Sequence, residues 1–487
     1  MRNLLHSEWT KFRTVRGWVI GMAFAAALIV GFGLLPGSSG SCGTSGGQCV
    51  LPVGPEGQEV TDVFTFVHQP LTGDGTITAR IASMTGIVPP VPGEEQARQQ
   101  LAPWAKAGLI IKDGTKQGSA YVAVLLTGEH GVRMQHNFVH DEAGRAVSPA
   151  SPVWLRLTRT KEKVTAQDSA DGASWTTVGN VNLAGLPATV QIGLFVASPQ
   201  WTEPVTESFG ANGAAGAPTR ATVEFDNVSL TGPWTVTQVG DPPGEAEPTG
   251  ENSFSLTGTG DIAPAVAGAA GLGTTISETL LGTFAGLIVI VVISAMFVTA
   301  EYRRGLIRTT LAASPLRGRV IAAKAAIVGS VAFLLGIVAA AIVVTFGQEM
   351  LRDNGVYVHP ASTATELRVI AGTGALLGIA AVMSVGLGAW LRRGTAAVTT
   401  AIVTIVLPYL LAMSVLPAGA AQWLLRIAPA AAFSLQQSSI VYPQVANLYT
   451  PLNGYFPLSA WAGLAVLAGW AALALALAAQ RLRGRDA

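Results

Sequence analysis

Six stretches of 19 to 23 residues contain no Asp, Glu, Lys or Arg; they run over 17–35, 279–300, 325–347, 369–391, 395–416 and 458–480. At 1.5 Å rise per residue, each is long enough as a helix to cross a hydrocarbon core of about 30 Å. Lipid offers no partner to backbone N–H and C=O groups, so runs of this kind are expected to be helical and to pack against one another. Five of the six crowd the last 210 residues or so, and the first stands alone near the start.

The segment between the first and second runs has a different character. Residues 37–261 contain 22 acidic and 12 basic residues, whereas the rest of the chain contains 7 acidic and 18 basic. The acidic middle therefore reads as a water-exposed domain and the basic excess belongs to the helical part. Basic runs interleaved with aromatics are absent from that middle, which argues against nucleic acid as a partner.

Lys and Arg also set an expected orientation. Residues 2, 11, 13, 16, 303, 304, 308, 317, 319, 324, 392, 393, 481, 483 and 485 are all basic and fall on one side once six spans are drawn; only Arg352, Arg368 and Arg426 fall on the other, leaving aside the large insert. Both termini are then expected in the cytoplasm of a bacterial cell, with the chain multi-pass in its cytoplasmic membrane and the insert extracellular. A cleaved signal peptide is disfavoured because 16 residues precede the first run. In those residues Leu5, Trp9 and Phe12 share one helical face, the pattern of an entry helix lying along the inner leaflet.

The expected organisation is an entry helix over 1–16, spans over the six runs, a Gly/Ser linker over 36–61, a β-sandwich over 62–231 and a tether over 232–278. A cytoplasmic loop follows over 301–324, an outer loop over 417–457 with room for a re-entrant hairpin, and a tail over 481–487. Cys42 and Cys49, the only cysteines, lie in the linker, where a local disulfide is favoured over free thiols. Pro408 is expected to kink the fifth span.

Within 62–231, short alternating apolar runs such as Val190-Gln-Ile-Gly-Leu-Phe-Val-Ala are broken by Gly, Asp and Pro, an all-β grammar. Trp104-Ala-Lys-Ala-Gly-Leu-Ile-Ile, the Trp154-Leu-Arg-Leu-Thr-Arg strand, Ser169-Ala-Asp-Gly-Ala-Ser-Trp175 and Phe225-Asp-Asn-Val resemble concanavalin-type jelly-roll modules. Many such modules accompany carbohydrate-active proteins, so Trp104, Tyr121, Trp154 and Trp175 are candidates for a platform that takes a cell-envelope glycan, although core burial is the commoner fate of sandwich aromatics. Glu224 and Asp226 match half of the E-x-D-x-x-E signature of jelly-roll glycosidases, and the third acid is missing. His130, His136 and His140 with Glu129 and Asp141 follow no standard metal spacing, so no metal is expected. Gly210 to Pro218 and Gly240 to Gly250 read as a flexible loop and a tether.

The loop after the second span, Glu301-Tyr-Arg-Arg-Gly-Leu-Ile-Arg-Thr-Thr-Leu311, places Leu306, Ile307 and Leu311 on one face with arginines beside it, and Pro315 ends it. With the N-terminal Glu8-Trp-Thr-Lys-Phe-Arg segment, it resembles the permease subunits of type-2 ATP-binding-cassette transporters. That resemblance implies a coupling helix docking on an ATPase, with Glu301, Arg304, Gly305, Arg308, Thr309 and Leu311 as its coupling residues. It also implies a second permease copy as partner, contact with membrane lipid, and Arg426 as an exit-site contact. No G-x-x-x-x-G-K-[ST] run occurs, so this chain is not expected to be an enzyme or to bind a cofactor, with ATP and Mg held by a separate subunit. The rival expectation is a membrane-anchored glycan-binding or sensor protein.

Overall fold

The computed structural model describes residues 2–36, 50–90, 95–206, 212–241, 244–268, 273–307 and 317–484. Cys42 and Cys49, and with them the disulfide expectation, lie outside the described residues.

The helices, in chain order, are α1 (Arg2–Thr14), α2 (Arg16–Leu34), α3 (Gly282–Arg303), α4 (Arg317–Asp353), α5 (Thr363–Leu391), α6 (Gly394–Ala401, continued to Ser414), α7 (Ala418–Ile427) and α8 (Ala460–Gly484). Six of these segments, α2 to α6 and α8, are long and apolar enough to cross a membrane. Close backbone approach holds them together. A Cβ on Gly282 would stand 2.2 Å from Ile29 O of α2, and one on Gly336 of α4 would stand 2.8 Å from Gly374 Cα of α5. Small residues at such seams let helix backbones approach closely. Helix α6 passes through a π-helical turn, Ile402–Val406, directly before Pro408. Proline has no N–H to donate and crowds the preceding turn, and the wider turn accommodates both effects.

After α7 the chain turns inward. The 3-10 segment Pro429–Gln436 is buried throughout, and Gln436 Nε2 donates to Thr283 Oγ1 and Thr373 Oγ1, each at 3.1 Å. These bonds satisfy an amide that apolar surroundings would otherwise penalise.

Two sheets form the insert. One has Thr176–Asn182, Lys163–Ser169, Val153–Thr160, Gly75–Val88, Arg220–Asp226, Ser253–Gly258 and Glu245–Gly250 in spatial order, with Arg98–Gln99 beside Gly75–Val88. The other has Thr235–Val239, Phe64–Thr72, Thr189–Ala197, Lys106–Lys112, Tyr121–Thr127, Val132–His136 and His140–Ala143. Ile77, Leu155 and Phe225 of the first share a core with Val67, Leu109 and Leu194 of the second. The sandwich expectation therefore holds at the level of two sheets on one core.

The sheets differ in exposure. Val153–Thr160 alternates buried and half-buried positions, so its sheet turns one face to solvent. Lys106–Lys112 and Tyr121–Thr127 are buried at every position, because a second cluster including Phe64, Phe66, Tyr121, Phe138 and Phe195 covers the other face of their sheet.

The tether and flexible-loop expectations are corrected. Thr235–Val239 pairs with Phe64–Thr72, Ser253–Gly258 with Arg220–Asp226, and Trp201–Thr206 with Asn212–Ala217. Sandwich strands thus continue to residue 258. Thr235–Val239 and Glu245–Gly250 end their sheets, and the Gly, Pro and acidic residues of the latter suit an edge, where one row of backbone groups meets water.

Where the chain enters and leaves the insert, Val60–Asp62 pairs antiparallel with Ile262–Pro264. The two sides of this closure grip opposite ends of one strand: Lys112 Nζ donates to Asp62 Oδ2 at 2.7 Å and Lys106 Nζ to Asp261 Oδ1 at 2.6 Å. The insert meets the bundle through Tyr455 OH donating to Ala267 O at 2.8 Å, Asn447 Nδ2 to Ala267 O at 3.2 Å, and Gln444 Nε2 to Val139 O at 2.9 Å.

Candidate functional site

At the end of the bundle away from the insert, α1, the last turn of α3 and the first turns of α4 meet around four charges. Lys324 Nζ donates to Glu8 Oε2 at 2.6 Å and to Glu301 Oε1 at 2.7 Å. Lys11 Nζ reaches Glu8 Oε1 at 2.7 Å and Glu301 Oε1 at 3.2 Å. Glu8 is 0% and Lys324 1% exposed, while Lys11 is half-exposed. Two carboxylates and two ammonium groups balance, the condition on which buried charge is tolerable.

Local sequence explains the placement. Glu8, Lys11 and Phe12 sit three and four residues apart and share a face of α1, as helical periodicity requires. Glu301 lies at the C-terminal end of α3, where the negative end of the helix dipole disfavours a carboxylate and a lysine close by offsets it. Aromatic rings close the knot: Phe297 lies edge-on to Phe12 and Trp18, each at 5.9 Å between centroids, and Lys324 Nζ stands 5.1 Å from the Phe297 ring centre. The arrangement ties α1 to the helix pair flanking the 308–316 segment.

Of the residues expected to couple to a partner, Glu301 is turned inward as part of this knot, in contact with Lys11 of α1 and Lys324 of α4. Arg304 and Gly305 are exposed at the point where the chain leaves α3, and Gly305 adopts φ +69° with open space around its Cα. Arg308, Thr309 and Leu311 lie outside the described residues. Glu8 and Lys324 were not singled out by sequence; an acid on the same face as Phe12 was the available signal.

The four aromatics proposed as a ligand platform are not brought together. Tyr121 is 0% exposed in the second sandwich cluster. Trp104 is buried and stacks on His130 at 4.0 Å. Trp154 and Trp175 are half-buried and their rings are covered: a Cβ on Gly172 would stand 2.8 Å from the Trp154 ring, and Arg156 Cζ lies 3.7 Å above the Trp175 ring centre. Core filling and cation–π cover account for these rings.

Glu224 accepts from Ser255 Oγ at 2.7 Å, and Asp226 is bound by both Arg80 nitrogens, Nε at 2.8 Å. That guanidinium holds the Asp226 carboxyl below its ordinary range, so it is no proton donor near neutral pH. His136 stacks on His140 at 4.3 Å, and burial followed by the His140 charge pushes its pKa down to about 4. Among the described residues no cluster of three or more His, Cys, Asp or Glu is arranged to hold a metal. Ser169 to Trp175 does form the turn of a hairpin: Gly172 takes φ +76° and Asp171 Oδ1 accepts from the Ala173 and Ser174 amides at 2.9 and 2.8 Å. Arg426 is exposed on α7 near Trp423, which is 67% exposed.

No protein-family model matches the chain and no curated protein matches it. Among solved structures it is similar to SCP-B, a member of the eqolisin family of peptidases in a complex with a tripeptide, at 12% identity over 40% of this chain and 98% of that one, with a TM-score of 0.25. It is also similar to the GH43 protein BlXynB from Bacillus licheniformis, at 17% identity over 31% of each chain and a TM-score of 0.17, and to sheep galectin-11, at 12% identity over 26% and 90% and a TM-score of 0.16. At TM-scores this low the likenesses say nothing of what this chain does.

Proposed function

We propose that this chain is the permease subunit of an ATP-driven exporter. It spans a bacterial cytoplasmic membrane six times, keeps both termini inside and carries its sandwich outside. A separate ATP-binding-cassette subunit supplies ATP hydrolysis with its Mg, and a second permease copy completes the path. The observation that carries this reading is the buried Glu8–Lys324–Glu301 knot, which joins the entry helix to both helices flanking the basic 304–316 loop. A segment that serves only to orient the chain by charge needs no such bracing. Reading the sandwich as a glycan receptor draws no support from Trp154 and Trp175, which are half-buried and each have a neighbour against the ring.

Copurification from native membranes tests the reading. An ATP-binding-cassette protein is expected to come down with the full chain, and its ATPase turnover is expected to change on reconstitution with it. Gly305→Pro is expected to abolish that change, because proline cannot take φ +69°. Absence of any such ATPase from the purified complex overturns the proposal.

A further inference from the structure

At the same end of the bundle, α3, the corner between α5 and α6, and the last turns of α8 line an open recess of about 1000 Å³. Val292, Met296 and Val398 line it with apolar surface, and Arg303, Arg392, Arg393 and Arg481 are also in its lining. Among the described residues, no carboxylate forms a salt bridge with any of these four arginines.

Two of the arginines are built into place. Arg481 Nη1 donates to Trp390 O at 2.6 Å, and Arg392 Nη2 donates back to Arg481 O at 3.4 Å, so that α5 and α8 brace each other. Arg392 takes φ +63° at the end of α5, its guanidinium lies 5.5 Å from the Tyr302 ring centre, and its Nε is buried with no acceptor. Helix α6 begins at the recess wall without a side-chain cap, which leaves first-turn N–H groups without an acceptor from that source. Guanidinium groups without a carboxylate partner, an uncapped helix start and an apolar recess converge on one chemistry. Guanidinium forks match phosphate and carboxylate oxygens, and the recess suits an alkyl chain. Charge that served only to orient the chain would need neither a recess nor crossed hydrogen bonds.

We infer that this recess binds an anionic amphiphile, its phosphate or carboxylate head among the four arginines and its alkyl chain against α3 and α6. The head can belong to a phospholipid of the surrounding bilayer or to an exported molecule; only the choice between these two sources rests on the exporter reading.

Quenching of tryptophan fluorescence tests the binding, since Trp390 lies beside the site. The full chain in a neutral detergent is titrated with phosphatidylglycerol and, separately, with phosphatidylcholine, both carrying brominated chains. Phosphatidylglycerol is expected to quench at a mole fraction at least about fivefold lower, the scale set by a single arginine near an anionic lipid surface. The double variant Arg303→Gln/Arg393→Gln, whose altered side chains make no hydrogen bond among the described residues, is expected to remove the preference, whereas Arg352→Gln at the opposite end retains it. Equal quenching by the two lipids in the unaltered chain, or an undiminished preference in the double variant, overturns the inference. In sealed vesicles with the ATPase subunit, ATP-dependent transfer of a fluorescent phosphatidylglycerol to the outer leaflet marks it as cargo. Binding without transfer marks it as a resident lipid and leaves the site in place even where the exporter reading fails.

Discussion

Lys324 Nζ lies 2.6 Å from Glu8 Oε2 across 316 residues of sequence, and neither side chain reaches solvent to a useful extent. Removing the cation leaves two carboxylates buried at that end of the bundle, whereas Lys11 is half-exposed and screened. Lys324→Met is therefore expected to lower the stability of the full chain in detergent by about 3–5 kcal/mol. Lys11→Met should cost about 1 kcal/mol or less. Thermal unfolding of the two variants side by side makes the comparison, and equal losses would show that burial does not set the difference.

Gly374 lies where α4 and α5 come closest, and a Cβ there would stand 2.8 Å from Phe333 O and 2.7 Å from Ile337 Cγ1. Phe333 O is backbone and cannot yield without moving a helix. Gly374→Leu is expected to force the pair apart and reduce the yield of monodisperse protein severely, by overpacking of about 3 kcal/mol or more. Size-exclusion profiles of Gly374→Leu and of Gly469→Leu, a position with open space around its Cα, give the check; comparable yields from both would contradict the close packing.

The two halves of this molecule were legible in the sequence to different depths. Spans were plain because 19 or more uncharged residues leave a chain few alternatives. Their ends were not: α4 runs over Arg317–Asp353, well past the apolar 325–347, since its charged turns at both ends remain helical. In the sandwich, alternation marked the central strands, but Thr235–Val239 and Glu245–Gly250 are short edge strands, and the acidic, Gly- and Pro-bearing composition of the latter imitates a linker. The charge knot was hidden for another reason. Glu8 and Lys324 each look like a surface charge until a partner hundreds of residues away covers it, and no local pattern records such a partner. Arg392 and Arg481 were visible as basic residues on one side, but the recess between them exists only once α3, α5, α6 and α8 have packed.

Lys106 and Lys112 clamp the two strands through which the insert joins the rest of the chain. Burial pushes the Lys112 ammonium down and the Asp62 carboxyl up, each opposed by its partner, so the pair depends on mutual contact to stay ionised. Lys112→Met leaves Asp62 without its cation and is expected to destabilise the insert by about 3 kcal/mol or more. Adding Asp62→Asn should recover most of that loss. Limited proteolysis of the insert in the full chain reads both variants; a single variant as resistant as the unaltered chain would mean that the clamp does not hold the insert.

Acid is expected to loosen the insert through His136. Its pKa in the folded chain is about 4, below the ordinary 6.5, first because the ring is half-buried and then because His140 stacks against it; Glu56 opposes the shift. Burial lowers the pKa of His68 and His130 in the same direction. A histidine whose folded pKa is depressed holds its full stabilising contribution above pH 6.5 and loses it as the pH falls toward 4, because the unfolded chain takes up the proton first. The shift at His136 alone would convert to about 3 kcal/mol. Half-exposure to solvent reduces this to about 1–2 kcal/mol. Unfolding temperatures of the full chain, followed from pH 7.5 to 4, should fall mainly between 6.5 and 4, and His136→Gln should flatten part of that fall. An unchanged slope in the variant would place the acid sensitivity in other groups.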